Sequence, residues 1–290
     1  MNNIWSKYVQ GTRTLYYTRK LRFDDIFTCQ YKPLFNLPED RPLRILEIGC
    51  GPGVLCGALK RWYPEAEITG IDRDTEFISF AREHYPDVKF IEGDATALPF
   101  EDSYFDVTVS NTVAEHIEPE KFYSEQSRVL KEGGICLVLS ARRGINTEAS
   151  CMTYSDFEME FFKRVQEKDD TCKRFSVCQY PMNESEMPLE MAKHGFFDIT
   201  TGYAIIDLTP DDPKYSPAIA LDMINAQRYT SLDGIEAVLS TMPESFSESE
   251  VHEMKRLANE RYDKRCEHYK NGEKYWDTSV SVTMVLRGIK

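Results

Sequence analysis

The chain lacks an excess of positive charge, a long apolar run and any paired cysteines. Its 290 residues carry a formal net charge of −13, which excludes the broad basic face that nucleic-acid phosphates require. No stretch approaches the ~20 apolar residues that span a bilayer. No apolar run of the secretory type opens Met1–Lys7, so no membrane association and a cytoplasmic location are expected. Eight cysteines, at 29, 50, 56, 136, 151, 172, 178 and 266, contain no C-x-x-C pair. They are read as reduced thiols rather than a disulfide framework. Cys151, Cys172 and Cys178 share one polar stretch and leave a soft-metal or metalloid site open, although their spacing fits no zinc pattern. No carboxylate–histidine cluster has ligand-like spacing, so no metal is expected. Internal repeats and low-complexity segments are absent as well.

What is present begins with a core-forming hydrophobic content of 41% and an uneven distribution of charge. Residues 1–32 hold six basic side chains against Asp24 and Asp25, leaving the remainder strongly acidic. This basic, tyrosine-rich arm suits either a clamp for an anionic ligand or a helix docked on an acidic body.

The most informative stretch is Leu46-Glu47-Ile48-Gly49-Cys50-Gly51-Pro52-Gly53. An apolar run, Leu43–Ile48, stops in a loop with glycine at every second position, and a helical segment, Val54–Trp62, follows. Glycine permits positive φ and close ligand approach, and the helix start offers unpaired N–H groups. The spacing is G-x-G-x-G. Val54 stands where the third glycine of a G-x-G-x-x-G dinucleotide loop would fall, which argues against an NAD-dependent oxidoreductase.

Strands and helices then alternate. Strands are predicted at Glu67–Ile71, Val88–Glu92, Phe105–Ser110, Ile135–Ser140, Phe197–Leu208 and Thr278–Leu286. Helices are predicted at Thr75–His84 (Thr75 as N-cap), Lys121–Leu130 (ended by Gly133-Gly134), Asp156–Glu167 and Ser185–His194. Residues 141–185 read as lacking clear strands. Residues 210–277 read as helical, with Pro213, Pro217 and Pro243 as breakers and Glu248–Tyr269 as the longest helix. Short apolar strands between helices indicate a parallel sheet covered on both faces. Asp72 closes the second strand, where a carboxylate can accept from both hydroxyls of a ribose. Asp94, after the third, can accept from an adenine amine while the Ala95 N–H meets a ring nitrogen. Asn111 and Thr112 follow the fourth strand at the edge where open α/β sheets bind ligands. His116 is a candidate base or orienting group, or a histidine with a structural hydrogen bond.

Taken in order, Leu46–Gly53, Gly70-Ile71-Asp72, Gly93–Phe100, Phe105-Asp106-Val107 to Ile117, and Arg128–Gly134 resemble the class I S-adenosylmethionine-dependent methyltransferases. The resemblance covers roughly residues 40–140 and resumes at Leu189–Phe196. It implies a Rossmann-like, doubly wound seven-stranded α/β sheet whose last strand is antiparallel. The chain is read as one domain with an N-terminal lid arm (1–35), a core (40–209), a helical cap insertion (210–277) and a closing strand (278–290). The resemblance implies S-adenosylmethionine as cofactor and S-adenosylhomocysteine as product. Glu47, Gly49, Cys50, Gly51 and Gly53 would hold the methionine moiety, and Asp72 with Arg73 the ribose. Asp94 and Ala95 would take the adenine, and Asn111 and Thr112 the sulfonium side. Asp106 is read as structural.

The acceptor must be held by parts outside this core. His116 and Tyr17 are the candidate catalytic groups, and Tyr16, Arg19 and Arg142 the candidate substrate contacts. The expected function is in-line methyl transfer to a small molecule, enclosed by the 68-residue insertion 210–277 and the arm. A homodimer is the other use of such an insertion. The alternatives are metalloid or thiol methylation through Cys151, Cys172 and Cys178, a non-catalytic cofactor-binding protein, and the NAD-dependent oxidoreductase.

Overall fold

The computed structural model describes residues 5–290. Its centre is a seven-stranded sheet built from β1 (Arg44–Ile48), β2 (Glu67–Asp72), β3 (Lys89–Glu92), β4 (Phe105–Asn111), β5 (Leu130–Thr147), β6 (Phe197–Leu208) and β7 (Thr278–Ile289). The spatial order is β3-β2-β1-β4-β5-β7-β6. The first five strands pair in parallel, and β7 is antiparallel to both β5 and β6. β4 is buried along its whole length, as expected of a central strand covered on both faces. The chain leaves β1 for β2 on one side and returns through β4 on the other. The crevice where ligands of such sheets bind therefore lies at the carboxyl ends of β1 and β4.

Helices cover both faces: α1 (Thr12–Arg22), α2 (Thr28–Phe35), α3 (Val54–Trp62), α4 (Thr75–His84), α5 (Pro119–Val129), α6 (Asp156–Lys168), α7 (Thr171–Arg174), α8 (Glu186–Lys193), α9 (Pro217–Thr241) and α10 (Glu248–Lys270). The main core joins α2 and α3 to one face of the sheet through Tyr31, Phe35, Ile45, Leu59 and Trp62. A second core packs α5 and α8 on the other face through Phe122, Tyr123, Met187, Met191 and Met284. Among the described residues no helix is long and apolar enough to cross a membrane.

Several local expectations are corrected. The N-cap of α4 is Asp74, whose Oδ1 accepts from Glu76 N at 3.1 Å and Phe77 N at 3.5 Å, rather than Thr75. α5 ends at Val129, before Gly133-Gly134. β5 runs on through polar residues to Thr147, opposite Thr278. The ladder with β7 holds this extension, so its side chains need no apolar pattern. Pro217 opens α9 at its first turn, where the missing N–H costs nothing, and α9, with 25 residues, is longer than α10.

The arm is bound by apolar packing, with Leu15, Leu21, Phe23 and Phe27 buried. α9 and α10 form a helical pair with its own core, joined by Phe161 of α6. α9 also clasps the arm. Thr14 donates to Asp233 Oδ2 from its N–H (3.1 Å) and its hydroxyl (2.5 Å), and Arg13 pairs with the same carboxylate.

Candidate active site

Gly49, Gly51 and Gly53 all adopt positive φ, at 68°, 53° and 79°. At Gly49 a side chain is doubly excluded, because a Cβ there would meet Val113 Cγ2 at 2.5 Å. The loop is tied to β2: Gly49 N and Cys50 N donate to Ile71 O at 2.8 and 3.0 Å, and Gly51 N donates to Asp72 Oδ2 at 2.8 Å. Gly53 serves packing instead, since a Cβ there would meet Phe90 at 2.8 Å and Ala81 at 2.9 Å. Cys50 is buried, and burial pushes its thiol up to about 11. Neither Gly53 nor Cys50 reaches the cavity wall.

That wall encloses about 580 Å³ at the carboxyl ends of β1, β2 and β4. Gly49, Gly51, Asp72, Arg73, Asp94, Ala95, Asn111, Thr112 and His116 all line it. Trp5, Leu15, Thr18, Arg19 and Arg22 of the arm and residues 177–180 form the opposite side. The two covering segments also grip each other and the core. The rings of Tyr8 and Phe175 stack at 4.8 Å, Trp5 meets His116 edge-on at 4.7 Å, and Ser6 N donates to Asp74 Oδ2 at 3.0 Å.

The electrostatics are unusual around Glu47. This residue of β1 is fully buried, and neither carboxylate oxygen has a hydrogen-bond partner. Burial pushes its carboxyl up to about 8, partly offset by the neighbouring Cys56 and then by Arg19. Asp72 is also raised by burial, although Oδ1 accepts from Asp74 N at 2.9 Å and Oδ2 from Gly51 N. Arg19 reaches over the glycine loop, with Nη1 3.0 Å from the position a Gly51 Cβ would take. Its Nη2 donates to Thr112 Oγ1 at 3.2 Å. Thr112 holds φ at +56°, a strained conformation for a β-branched residue, of a kind that clusters at functional sites. Asp94 Oδ1 accepts from Thr96 N and Thr96 Oγ1, both at 2.8 Å. The set offers acidic acceptors along β2 and β3, and a buried acid beside an arginine at the loop. It suits a nucleoside bearing a charged amino-acid tail.

His116 is tied to the covering segment through one ring nitrogen. Cys178 N donates to its Nδ1 at 2.9 Å, which leaves the ring proton on Nε2 in the neutral tautomer. Burial, reinforced by Arg73, lowers its pKa to about 4, so the ring is neutral near pH 7.

Three other candidates lie away from the cavity. Tyr16 packs on Phe80 and Tyr17 on Tyr229, with ring centroids at 5.0 and 4.5 Å. Both line a separate cleft between the arm, α4 and α9. Arg142 donates from Nη1 to Met182 O at 3.0 Å and pairs with Glu184 at 3.4 Å. Tyr17, two residues from Arg19, falls on the far side of α1, and Tyr16 is held against α4 by Phe80. The three cysteines do not assemble: Cys151 packs beside Ile224 and Tyr262, whereas Cys178 lines the cavity. Among the described residues no group of histidine, cysteine and acid could hold a metal. The insertion 210–277 contributes no cavity residue. It buttresses the arm, and the arm with residues 177–180 does the covering. Sequence reasoning missed Arg22, Thr18 and Tyr180. The i, i+3 spacing from Arg19 could have signalled Arg22, whereas Tyr180 arrives by a tertiary contact, its N–H donating to Glu115 O at 3.0 Å.

The family model described as a methyltransferase domain matches residues 46–138. The chain is 39% identical over 157 residues to the fatty-acid O-methyltransferase of Mycolicibacterium smegmatis, covering 44% of this chain and 57% of that protein. It is 36% identical over 117 residues to the ubiquinone/menaquinone biosynthesis C-methyltransferase of Campylobacter jejuni, covering 38% of this chain and 49% of that protein. The chain thus spans about half the length of the curated relatives it matches. Among solved structures, phosphoethanolamine N-methyltransferase 2 of Haemonchus contortus, in complex with S-adenosyl-L-methionine, aligns over 100% of this chain and 60% of its own. The TM-score is 0.53 and the identity 18%, a likeness of fold. Residues 46–138 thus form a methyltransferase domain, set in a seven-stranded sheet whose β7 is antiparallel.

Proposed function

We propose that the protein transfers a methyl group from S-adenosylmethionine to a small-molecule acceptor. The observation that carries this reading is the cavity wall in which Gly49 and Gly51 of the loop stand with Asp72 and Asp94, the buried Glu47 carboxylate lying just before that loop without an ion-pair partner. Such an acid needs a cationic donor that the chain does not itself bring within hydrogen-bond reach, and the ammonium of an amino-acid tail supplies one. Arg19, above the same loop, takes the tail's carboxylate in this reading, which moves it from acceptor contact to cofactor contact. Asp72 accepts from the ribose hydroxyls, and Asp94 with the Ala95 N–H reads the adenine.

When bound, S-adenosylmethionine supplies a methyl group already activated on a positively charged sulfur. The chain's work is then positional. The arm and residues 177–180 exclude water. Asn111, buried at the end of β4, and Thr112 fix the floor on the β4 side. The walls would hold the nucleophile facing the methyl group, so that positioning supplies much of the rate. His116 offers its Nε2 proton as a hydrogen-bond donor that orients the acceptor.

The relatives' names support a small acceptor, one being a fatty-acid O-methyltransferase and the other a C-methyltransferase of ubiquinone/menaquinone biosynthesis. Calorimetric titration with S-adenosylhomocysteine tests the reading. Binding is expected, and Asp72→Ala should weaken it at least about tenfold, the loss of hydrogen bonds to a charged group. No binding to the wild type at millimolar ligand overturns it.

A further inference from the structure

We propose that Arg22 is the anion-binding residue of the acceptor site, so that the molecule receiving the methyl group carries a carboxylate or phosphate. This deepens the methyltransferase reading and rests on it for the identity of the neighbouring cofactor site.

Leu15, Thr18, Arg19 and Arg22 form one stripe of α1, at helical spacings of three and four, and all four line the cavity. The two arginines are not equivalent. Arg19 lies over the glycine loop, hydrogen-bonded to Thr112, with Glu47 and Asp72 as charged neighbours. Among the described residues no carboxylate lies within ion-pairing distance of Arg22. The groups that face it are Arg19, of like charge, and Tyr31. Tyr31 is fully buried, and burial pushes its phenol up to about 12, so it stays neutral and leaves the guanidinium uncompensated. Among the described residues, the two buried arginines are each matched. Arg261 pairs with Glu158, and Arg265 pairs with Asp211 and Asp277. Arg22 is part-buried in the wall, and a partly desolvated cation there gains from a counter-ion. In a cavity wall, the unfilled partner is a ligand's anionic group, which the planar fork of a guanidinium can grip through two hydrogen bonds.

The position assigns this anion to the acceptor rather than to the cofactor. Asp72 and Asp94 follow β2 and β3, on one side of the crevice. Tyr31, beside Arg22, adjoins Thr283 of β7, and Thr283 lies opposite Ala141 of β5. Ala141 itself lines the cavity. Arg22 therefore stands on the β5–β7 side, beyond Asn111, across the cavity from the nucleoside acids.

Thermal-shift and calorimetric titration of the protein saturated with S-adenosylhomocysteine test this, with hexanoate, phenyl phosphate and neutral hexanamide as probes. At least one of the two anions should stabilise the protein, and which one does so distinguishes carboxylate from phosphate. Arg22→Gln should weaken that anion at least about tenfold while leaving S-adenosylhomocysteine affinity unchanged. Arg22→Lys, which keeps the charge but loses the fork, should fall between. The proposal is overturned if neither anion binds, if hexanamide binds as well as hexanoate, or if both variants hold the anion like the wild type. Failure of S-adenosylhomocysteine to bind the wild type would instead strike the cofactor reading. The same anion titration of the unliganded protein would then still report on Arg22.

Discussion

Glu47 concentrates the chemistry of single residues here. In an unfolded chain its carboxyl titrates near 4.3, whereas in the folded protein burial moves it to about 8. Below the lower value the group is neutral in both states and its contribution to stability is fully present. Between the two values the folded protein keeps a proton that the unfolded chain has released, so stability falls as pH rises and the contribution is lost above about 8. The melting temperature of the ligand-free protein should therefore decline from pH 5 to 8. Glu47→Gln, which stays neutral, should flatten that decline by several degrees. Calorimetry across the pH range checks this, and parallel slopes for the two proteins would refute it. The same group should make S-adenosylhomocysteine binding release a proton at pH 7, because the ligand's ammonium favours the ionised carboxylate. Titrations in buffers of different ionisation enthalpy would register that release, and Glu47→Gln should remove it. Asp106 shows the contrasting case. It accepts from Arg44 N at 2.9 Å and pairs with Arg41 and Lys131, and these partners hold its carboxyl below the ordinary range despite burial. It ties the start of β1 to β4 and β5 and takes no part in the cavity.

Among the elements, α1 decides most. One face carries Arg19 and Arg22 to the cavity, another carries Tyr16 and Tyr17 to α4 and α9, and Leu15 and Leu21 anchor the helix in the core. Its hold on α9 runs through one carboxylate, Asp233, which accepts from Thr14 N, Thr14 Oγ1 and Arg13. Asp233→Ala should cost about 1–3 kcal/mol, because it strands a part-buried amide and hydroxyl. It should also speed hydrogen exchange through residues 12–22 and weaken S-adenosylhomocysteine, since Arg19 rides on the same helix. Unchanged exchange in α1 would show that α9 does not hold the arm in place.

At the scale of the whole molecule, the insertion is a structural partner of the core. Tyr215, Met223 and Ala226 belong to the same cluster as Phe35 and Trp62. Beneath the α9–α10 pair, Arg265 is almost wholly enclosed, its Nη2 donating to Asp211 Oδ2 at 2.9 Å and Asp277 Oδ1 at 2.5 Å. Asp211 also accepts from Tyr275 N and Trp276 N at 2.7 and 2.9 Å. This knot joins the start of the insertion to the entry of β7. Arg265→Ala should destabilise the protein by about 3–5 kcal/mol, because two buried carboxylates lose their cation. Denaturant unfolding measures this, and a loss within about 0.5 kcal/mol, the size of an ordinary surface change, would mean that water compensates the carboxylates.

The order of strands and helices, the glycine loop and the acids after β2 and β3 were legible in the sequence, because each depends on local chemistry. Period and apolar runs mark the buried strands, positive φ demands glycine, and a carboxylate closing a parallel strand falls at the ligand edge wherever the strand sits. Val54–Trp62, Thr75–His84 and Phe197–Leu208 follow directly from such patterns. Tertiary structure alone decided which face of the arm looks inward, since Arg19 and Tyr17 differ only by their rotation about one helix axis. It alone set the polar half of β5, which β7 holds by backbone pairing. It alone placed His116 against Cys178, whose N–H donates to the ring's Nδ1. It also drew residues 177–180 over the cavity while leaving the larger insertion behind the arm. These outcomes depend on contacts between residues far apart in the chain, such as Cys178 with His116, which no local pattern of residues encodes.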